Sequence, residues 1–256
     1  MRTRKAVLLL SIMGAVTVGA ARLTQSLSER DHDEAARITR LSSGLFFRGD
    51  EADAGRRLAE MDWLTDRLQR EVDRYIQTTF TVAHDPDGIQ RRLRTLLGAH
   101  APNPEFGDLP FTRLAGLRFG SSLIVAYTLV RGPHHNLATI RGYRATREGF
   151  ELVATTGDDF EGYGMFKAEL QSPIDDEFWL MAWGQAHTFD GRRVRFRIYA
   201  FDGEAFKTMW SPEDLFDAED PHITGLIFSI DHRVRQPRYD IHDEYLLTAS
   251  GPIKTK

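Results

Sequence analysis

Residues 178–201 read FWLMAWGQAHTFDGRRVRFRIYAF and contain two strand-like runs that meet at a tight corner. The corner is Asp190-Gly191, a residue pair that tolerates the positive φ angles of a two-residue hairpin turn. Both alternating sets of positions in the first run are apolar, with Phe178, Leu180 and Ala182 on one face and Trp179, Met181 and Trp183 on the other. Because apolar side chains must be kept from water on both faces, this run predicts a strand that is covered on both sides.

Similar runs fill the second half of the chain and predict an antiparallel β domain over residues 108–250. They lie at about 122–130, 137–145, 149–155, 164–170, 177–186, 193–201, 205–210, 224–230 and 241–248. Most of the gaps between them are short, whereas a parallel crossover needs roughly a dozen residues or more. Neighbouring runs are therefore expected to pair as an antiparallel meander.

An internal repeat appears when the chain is shifted by 56 residues, because 122–152 then lies on 178–208 without a gap. The matched residues are Leu123-Ile124-Val125-Ala126-Tyr127 on Trp179-Leu180-Met181-Ala182-Trp183, Arg141 on Arg197, Tyr143 on Tyr199 and Phe150 on Phe206. With an insertion of about five residues, 164–166 also meets 225–227. The shift predicts a duplication, with units at about 121–176 and 177–232.

Each predicted unit holds about four strands, which is the size of a β-propeller blade. Two units cannot close a propeller, which typically has at least about four blades. Residues 241–249 are a candidate start for a third unit. We therefore expect an α+β fold whose β part is either one curved sheet or a set of propeller-blade-like units.

Helical periodicity dominates residues 51–100, ahead of the strands. Apolar side chains recur at three- and four-residue steps at Leu58, Met61, Leu64, Leu68, Val72, Tyr75, Ile76 and Phe80, which predicts an amphipathic helix. Asp85 and Pro86 fit the cap and first position of a second helix that ends near Gly98. We expect the apolar stripe to pack on the protein's own sheet, with a coiled-coil dimer as the alternative.

The first residues of the chain, MRTRKAVLLLSIMGAVTVGAA over 1–21, have the form of an export signal. Basic residues precede an uncharged run over 6–21, and small residues near Ala20 suit signal peptidase. We favour a cleaved signal peptide because the run has 16 residues, while a membrane-spanning helix needs roughly 20. This predicts a periplasmic or secreted domain. An uncleaved anchor would instead give a single-pass inner-membrane protein with its C-terminus outside the cytoplasm.

Composition excludes several classes of function. The chain contains no cysteine, which rules out thiol catalysis, thiolate metal sites, disulfides and a lipoprotein anchor. Arginine outnumbers lysine 28 to 5, as in proteins of high-GC bacterial genomes. After residue 100 the chain has 17 basic and 23 acidic residues, which argues against a nucleic-acid partner. Residues 22–50 are polar and charged and are expected to form a linker.

Two sets of side chains are candidates for a functional site. The candidates for an acid–base pair or the metal centre of a hydrolase are His232, His242 and Asp243. Their spacing matches no established ligand pattern. The candidates for a ligand-binding stripe across the two units are Arg141, Tyr143, Arg197 and Tyr199. The alternative for this second set is that its aromatic rings fill the core.

The motifs of common enzyme classes are missing from the sequence. There is no Gly-x-Ser-x-Gly elbow and no glycine-rich phosphate loop, and we predict no cofactor and no metal. We expect a non-enzymatic binding or scaffold module of the cell envelope, with a protein or glycan ligand. The alternatives are a metal-dependent hydrolase, and an anchored periplasmic sensor or secretion component that dimerises through residues 53–80.

Overall fold

The computed structural model describes residues 54–85, 88–93, 111–117, 120–129, 137–157, 159–171, 174, 177–189, 191–235 and 238–256. The predicted export segment over 1–21, the linker over 22–50 and Gly98 lie outside these ranges. No helix within the described ranges is long and apolar enough to span a membrane.

A long amphipathic helix, α1 (Ala54–Thr79), precedes the strands, as the periodicity predicts. The C-terminal half of its apolar stripe is buried, with Leu68, Val72, Tyr75 and Ile76 at most 4% exposed. These side chains share one core with residues of the first strands. These four residues therefore pack on the protein's own sheet, as expected.

The predicted Asp85 cap starts a second helical segment, which is described over 88–93. The Asp85 carboxylate accepts a hydrogen bond from the Gly88 amide at 3.1 Å, as expected of a residue that caps a helix N-terminus. Ile89 and Leu93 of this segment are buried in the same core as α1. The two helical segments thus cover one side of the sheet together.

The first sheet has five strands: β1 (Phe111–Leu117), β2 (Gly120–Leu129), β3 (Leu137–Ala145), β4 (Phe150–Thr155) and β5 (Phe160–Glu161). β1 to β4 pair antiparallel in chain order. β5 pairs with the first two residues of β3. The prediction of short antiparallel connections is confirmed here.

The second sheet has nine strands: β6 (Gly164–Leu170), β7 (Phe178–Thr188), β8 (Gly191–Phe201), β9 (Phe206–Trp210), β10 (Leu215–Phe216), β11 (His222–Thr224), β12 (Ile227–Arg235), β13 (Arg238–Thr248) and β14 (Gly251–Lys254). β6 to β9 pair in chain order, as do β11 to β14. β10 joins these two groups because it pairs with both β8 and β12. We call β1–β4, β6–β9 and β11–β14 the first, second and third meanders.

Buried side chains fill three cores between α1 and the three meanders. The first core lies between α1 and the first meander, the second between the first and second meanders, and the third between the second and third. In β7, Leu180 faces the first meander and Trp179 faces the third, and both are fully buried. The strand is thus covered on both faces, as its two apolar sets predict.

The strand groups differ from the predicted unit boundaries. β6 pairs with β7 and belongs with the second meander, although the predicted boundary placed residues 164–170 in the first unit. The third meander begins at His222, so residues 241–249 lie inside it and do not start it. The sequence could not place these boundaries, because only hydrogen-bond pairing shows to which meander a first strand belongs. A short strand contributes few periodic residues to the sequence.

The 56-residue frame describes one pair of hairpins well. β3–β4 and β8–β9 pair in the same register, and each has a register shift at the same place. The shift lies between Gly142 and Tyr143 in the first meander and between Ile198 and Tyr199 in the second. The two hairpins are therefore equivalent residue by residue.

The 56-residue shift does not match the structure in β2 and β7, the strands that precede these hairpins; the correspondence there differs by one residue. The residue opposite Tyr143 is Leu123, whereas the residue opposite Tyr199 is Leu180 and not Trp179. A one-residue slip moves every side chain of a strand to the other face. The two strands therefore correspond with a shift one residue longer than the sequence match.

Because of this one-residue difference, two aromatic residues that the sequence match aligns lie in different cores. Tyr127 faces α1 in the first core, whereas Trp183 faces the third meander in the third core. The predicted match of Tyr127 with Trp183 is therefore wrong. A sequence match without gaps cannot reveal a one-residue difference in the length of a loop or strand.

Gly149, at the turn between β3 and β4, packs against the backbone at the end of α1. An added Cβ would lie 2.5 Å from the Gln77 carbonyl oxygen and 3.1 Å from that of Phe80. Because backbone atoms cannot move aside without moving the helix, Gly149→Ala should lower the free energy of unfolding by roughly 1–3 kcal/mol in urea titrations. The neighbouring exposed substitution Glu148→Ala is the control and should change it by less than about 0.5 kcal/mol. Equal effects of the two substitutions would contradict this packing.

Candidate functional site

A buried ion pair joins α1 to the first meander. Arg141 and Tyr143 occupy alternate positions of β3 and both reach Asp73 of α1. The Arg141 guanidinium donates a hydrogen bond at 2.7 Å and the Tyr143 hydroxyl donates one at 2.6 Å, each to a different carboxylate oxygen. The Arg141 guanidinium also lies 5.9 Å from the centre of the Tyr127 ring. All four residues are at most 7% exposed.

Burial governs the ionisation of this network. It raises the pKa of the Asp73 carboxyl, and the Arg141 charge and the hydrogen bonds from Tyr143 and Arg141 oppose that rise. Burial also raises the pKa of the Tyr143 and Tyr127 hydroxyls well above their usual range, so both remain neutral. The network is therefore a link between two elements with little access to solvent.

The second half of the predicted ligand-binding stripe is also turned inward. Tyr199 is 1% exposed, and its hydroxyl donates a hydrogen bond to Asp159 at 2.6 Å. Arg197 is half-buried and donates hydrogen bonds to two main-chain oxygens. The set Arg141, Tyr143, Arg197 and Tyr199 thus does not form an exposed stripe. Alternate residues of a strand point to one face, and this face is the one that the preceding layer covers.

A third tyrosine occupies the same place in the third meander. The cross-strand pairs of the three hairpins are Tyr143–Leu152, Tyr199–Thr208 and Tyr245–Lys254. Tyr245 packs against the core between the second and third meanders, and its hydroxyl donates a hydrogen bond to Asp243 at 3.2 Å. In each meander the third strand therefore turns a tyrosine toward the preceding layer, and each of these three hydroxyls donates a hydrogen bond to an aspartate.

Sequence comparison with a single shift misses this third tyrosine. Tyr199 follows Tyr143 by 56 residues, whereas Tyr245 follows Tyr199 by only 46. A comparison of the chain with itself that allows a different shift for each unit, centred on a tyrosine in a strand, would find it.

A second polar cluster lies where Arg195 of β8 meets the loop before β10. Arg195 donates hydrogen bonds to both carboxylate oxygens of Asp214, at 2.9 and 3.2 Å, and to the main-chain oxygen of Asp159 at 2.8 Å. Tyr163 donates to the same Asp214 carboxylate, and its ring centre lies 4.2 Å from the guanidinium. Burial alone would raise the pKa of Asp214, but the hydrogen bonds from Arg195 and Tyr163 and the Arg195 charge lower it overall.

The candidate catalytic residues are divided between the two faces of the β12–β13 ribbon. Asp231 and His242 are direct cross-strand partners, with the His242 Nδ1 and an Asp231 oxygen 2.7 Å apart. His232 follows Asp231 and points to the other face, where it lies 3.3 Å from Asp243.

The hydrolase site expected from His232, His242 and Asp243 is therefore not formed, because the two imidazoles lie on opposite faces of the ribbon. Across the described ranges, no group of three or more His, Asp or Glu residues is placed to hold a metal ion. Asp243 instead accepts hydrogen bonds from His232 and Tyr245. It also forms an ion pair with Lys254 at 2.7 Å. Burial would raise the pKa of Asp243, but these hydrogen bonds and the Lys254 charge lower it.

The face of the ribbon that carries His242 is open to solvent. Equivalent cross-strand pairs in the three meanders, counted from the tyrosine, are Ala126–Ile140, Trp183–Phe196 and Asp231–His242. The first two pairs are buried against the following meander, whereas the side chains of the third are 60% and 46% exposed. The third meander thus carries charged and polar groups where the first two carry covered apolar side chains.

A groove of about 410 Å³ opens beside this row of polar side chains. Its lining consists of Asp217, Glu219, Asp231, His232, Arg233, Asp240, Ile241 and His242. Arg233 is held by Asp240 at 2.9 Å and by Asp217 at 3.5 Å. Four carboxylates against one guanidinium make the groove acidic.

These features define a layered antiparallel β protein that one long helix covers at one end. No family model and no curated protein matches the chain. A solved structure that resembles it is a mutant of the alpha-l-arabinofuranosidase arb93a from Fusarium graminearum, in complex with an iminosugar inhibitor. The two are 10% identical, the match covers 55% of this chain and 45% of that chain, and the TM-score is 0.31. A likeness of this size supports no conclusion about fold or activity.

Removal of Asp73 should be costly because it leaves the Arg141 guanidinium buried without a counter-charge. We expect Asp73→Ala to lower the free energy of unfolding by about 3–5 kcal/mol, measured by urea titration. Tyr143→Phe should lower it by about 1–2 kcal/mol, since one hydrogen bond is lost. Asp66→Ala, at an exposed position of the same helix, is the matched control and should stay within about 0.5 kcal/mol. An Asp73→Ala variant as stable as this control would show that the ion pair does not hold α1.

Asp214 should make the protein sensitive to acid. Because its pKa in the folded state is lowered, its contribution to stability is present above the unfolded pKa, roughly 4. That contribution is lost as the pH falls through the folded pKa. Asp214→Asn should therefore be less stable than wild type at neutral pH and should lose less stability on acidification, in urea titrations at a series of pH values. Glu148→Gln should keep the wild-type pH profile, and an unchanged profile in Asp214→Asn would contradict the assignment.

Proposed function

We propose that the protein is a non-enzymatic binding or scaffold module of the cell envelope, and that the outer face of its third meander meets the partner. The outer face is the side of β12, β13 and β14 that is turned away from the second meander. The acidic groove opens beside it. The predicted protein or glycan ligand would approach from this side.

The proposal includes an architecture of three stacked blade-like units with a common plan. Its support is the shared register of Tyr143, Tyr199 and Tyr245 and the equal placement of β5 beside β3 and β10 beside β8. In a stack of units, each inner face is covered by a neighbour, and the units at the ends are the exceptions. In this chain α1 covers one end, and the outer face is the other.

One observation carries the proposal: a cross-strand pair that is apolar in the first two meanders is charged and polar in the third. The equivalent pairs are Ala126–Ile140, Trp183–Phe196 and Asp231–His242. An end unit needs a polar outer face to remain soluble. A rigid sheet that presents polar groups and loops at such a face can recognise a partner without any catalytic residue.

We propose an extracytoplasmic location on the basis of the basic N-terminus and the apolar run over 6–21. A cleaved signal peptide leaves a soluble module in the periplasm or outside the cell. The anchored-sensor alternative requires that the same run remain in the membrane, with residues 6–21 as the membrane contact.

Photocrosslinking in the producing cells tests the proposed surface. p-Benzoylphenylalanine is placed at Leu246 on the outer face, at Glu148 in the exposed β3–β4 turn, or at Trp63, which is 53% exposed on α1. We expect a partner adduct from position 246 and none from position 148. Failure to obtain a specific adduct at position 246 would refute the proposal. Adducts between two copies of the chain at position 63 would favour the dimerising sensor.

A further inference from the structure

We infer that the outer face binds a basic, partly apolar segment of a partner protein, with apolar side chains on one part of the face and Lys or Arg side chains in the groove. The inference rests on the proposed function and names the chemical class of its ligand. Two neighbouring features of the face carry it, an apolar strip and an excess of carboxylates.

The apolar strip consists of Leu226, Ile227, Leu246 and Ile253, which are 39, 47, 38 and 55% exposed. Ile227 and Ile253 are both cross-strand partners of Leu246, so these three side chains share one face. The pair equivalent to Ile227–Leu246 in the second meander is Trp179–Ala200, which the third meander buries. The strip therefore has the chemistry of a covered position, and none of the described residues covers it.

The groove supplies the charge that such a ligand would meet. The side chains of Asp231 and Asp240 are 60% and 80% exposed. Arg233 already bonds to Asp240 and Asp217, but a carboxylate can accept several hydrogen bonds at once. An incoming ammonium or guanidinium group would thus find acceptors without displacing Arg233.

The strip and the groove lie within reach of one short segment. Ile227 and Asp231 are four residues apart on β12, which corresponds to about 13 Å along the strand. An extended peptide of roughly five residues spans that distance. One segment with apolar residues at one end and basic residues at the other can therefore engage both features.

Charge decides between the possible occupants. Two copies packed face to face would either set one acidic groove against the other, which like charges disfavour, or leave both grooves uncovered. Nucleic-acid phosphates would be repelled by the same carboxylates. A basic, partly apolar protein segment covers the strip and neutralises the groove together.

Fluorescence anisotropy with the purified full chain tests this assignment. The probes are three labelled peptides of about eight residues. One combines leucines at one end with lysines at the other, the second has glutamate in place of lysine, and the third has serine in place of leucine. We expect the first peptide to bind more tightly than the other two by roughly tenfold or more, with an affinity that falls as salt is added.

Variants locate the binding on the face. Asp231→Asn with Asp240→Asn, and separately Leu246→Ser, should each weaken binding of the first peptide by roughly tenfold. Glu148→Gln is the remote control and should leave it unchanged, and circular dichroism confirms that each variant is folded.

Three outcomes of the peptide-binding experiments would each overturn the inference. The first is equal binding of the acidic peptide, the second is binding that the groove and strip variants do not alter, and the third is no binding of the basic peptide. A dimer in sedimentation velocity that Leu246→Ser abolishes would also overturn it, because a second copy would then cover the strip. If position 246 still crosslinks to a partner while no basic peptide binds, this inference fails and the proposed binding function stands.

Discussion

β7 carries large apolar side chains on both of its faces, and the exclusion of water from both is the constraint on which the layered structure depends. The first meander supplies one cover and the β12–β13 ribbon supplies the other. Trp179, Met181 and Trp183 project into the core shared with the third meander, and an aromatic side chain removes roughly 150–250 Å² from water when buried. Because the same requirement holds for β2, α1 is needed on the far side of the first meander.

Polar groups inside the layers determine the register in which they pack. The hydroxyls of Tyr143 and Tyr199 donate hydrogen bonds to Asp73 and Asp159, at 2.6 Å in both cases. A buried hydroxyl or carboxylate that loses its partner is costly. A slip of β3 by one residue would turn Tyr143 away from Asp73 and leave both unpaired. Apolar burial thus draws the layers together, and the tyrosine–aspartate bonds select one alignment.

The two ends of the stack have different chemistry. At one end the apolar stripe of α1 and the Asp73–Arg141 ion pair close the first meander. At the other end, equivalent strand positions hold Asp231, His242 and Asp240, while the apolar strip remains beside them. The proposed function lies on the third meander because this end is open; His242 is a surface group there, whereas His232 lies on the covered face.

Local features were readable from the amino-acid sequence because neighbouring residues determine them. The periodicity of α1 and the Asp85 cap belong to this class. So does the Asp202-Gly203 turn pair, where the Asp202 carboxylate accepts hydrogen bonds at 2.8 Å from the Glu204 and Ala205 amides. The two-sided burial of β7 and the equivalence of the β3–β4 and β8–β9 hairpins were also readable, since apolar alternation and a constant spacing record them.

Cross-strand register lay beyond the sequence. It decides that β6 joins the second meander, that Tyr127 and Trp183 face different cores, and that His232 and His242 lie on opposite faces. It also places Tyr245 beside Lys254 as the third member of a set that no single spacing reveals. Register depends on packing between segments that are distant in the chain, and a shift of one residue inverts every side chain of a strand. The tertiary structure alone therefore decided which core each side chain joins and which residues form the open face.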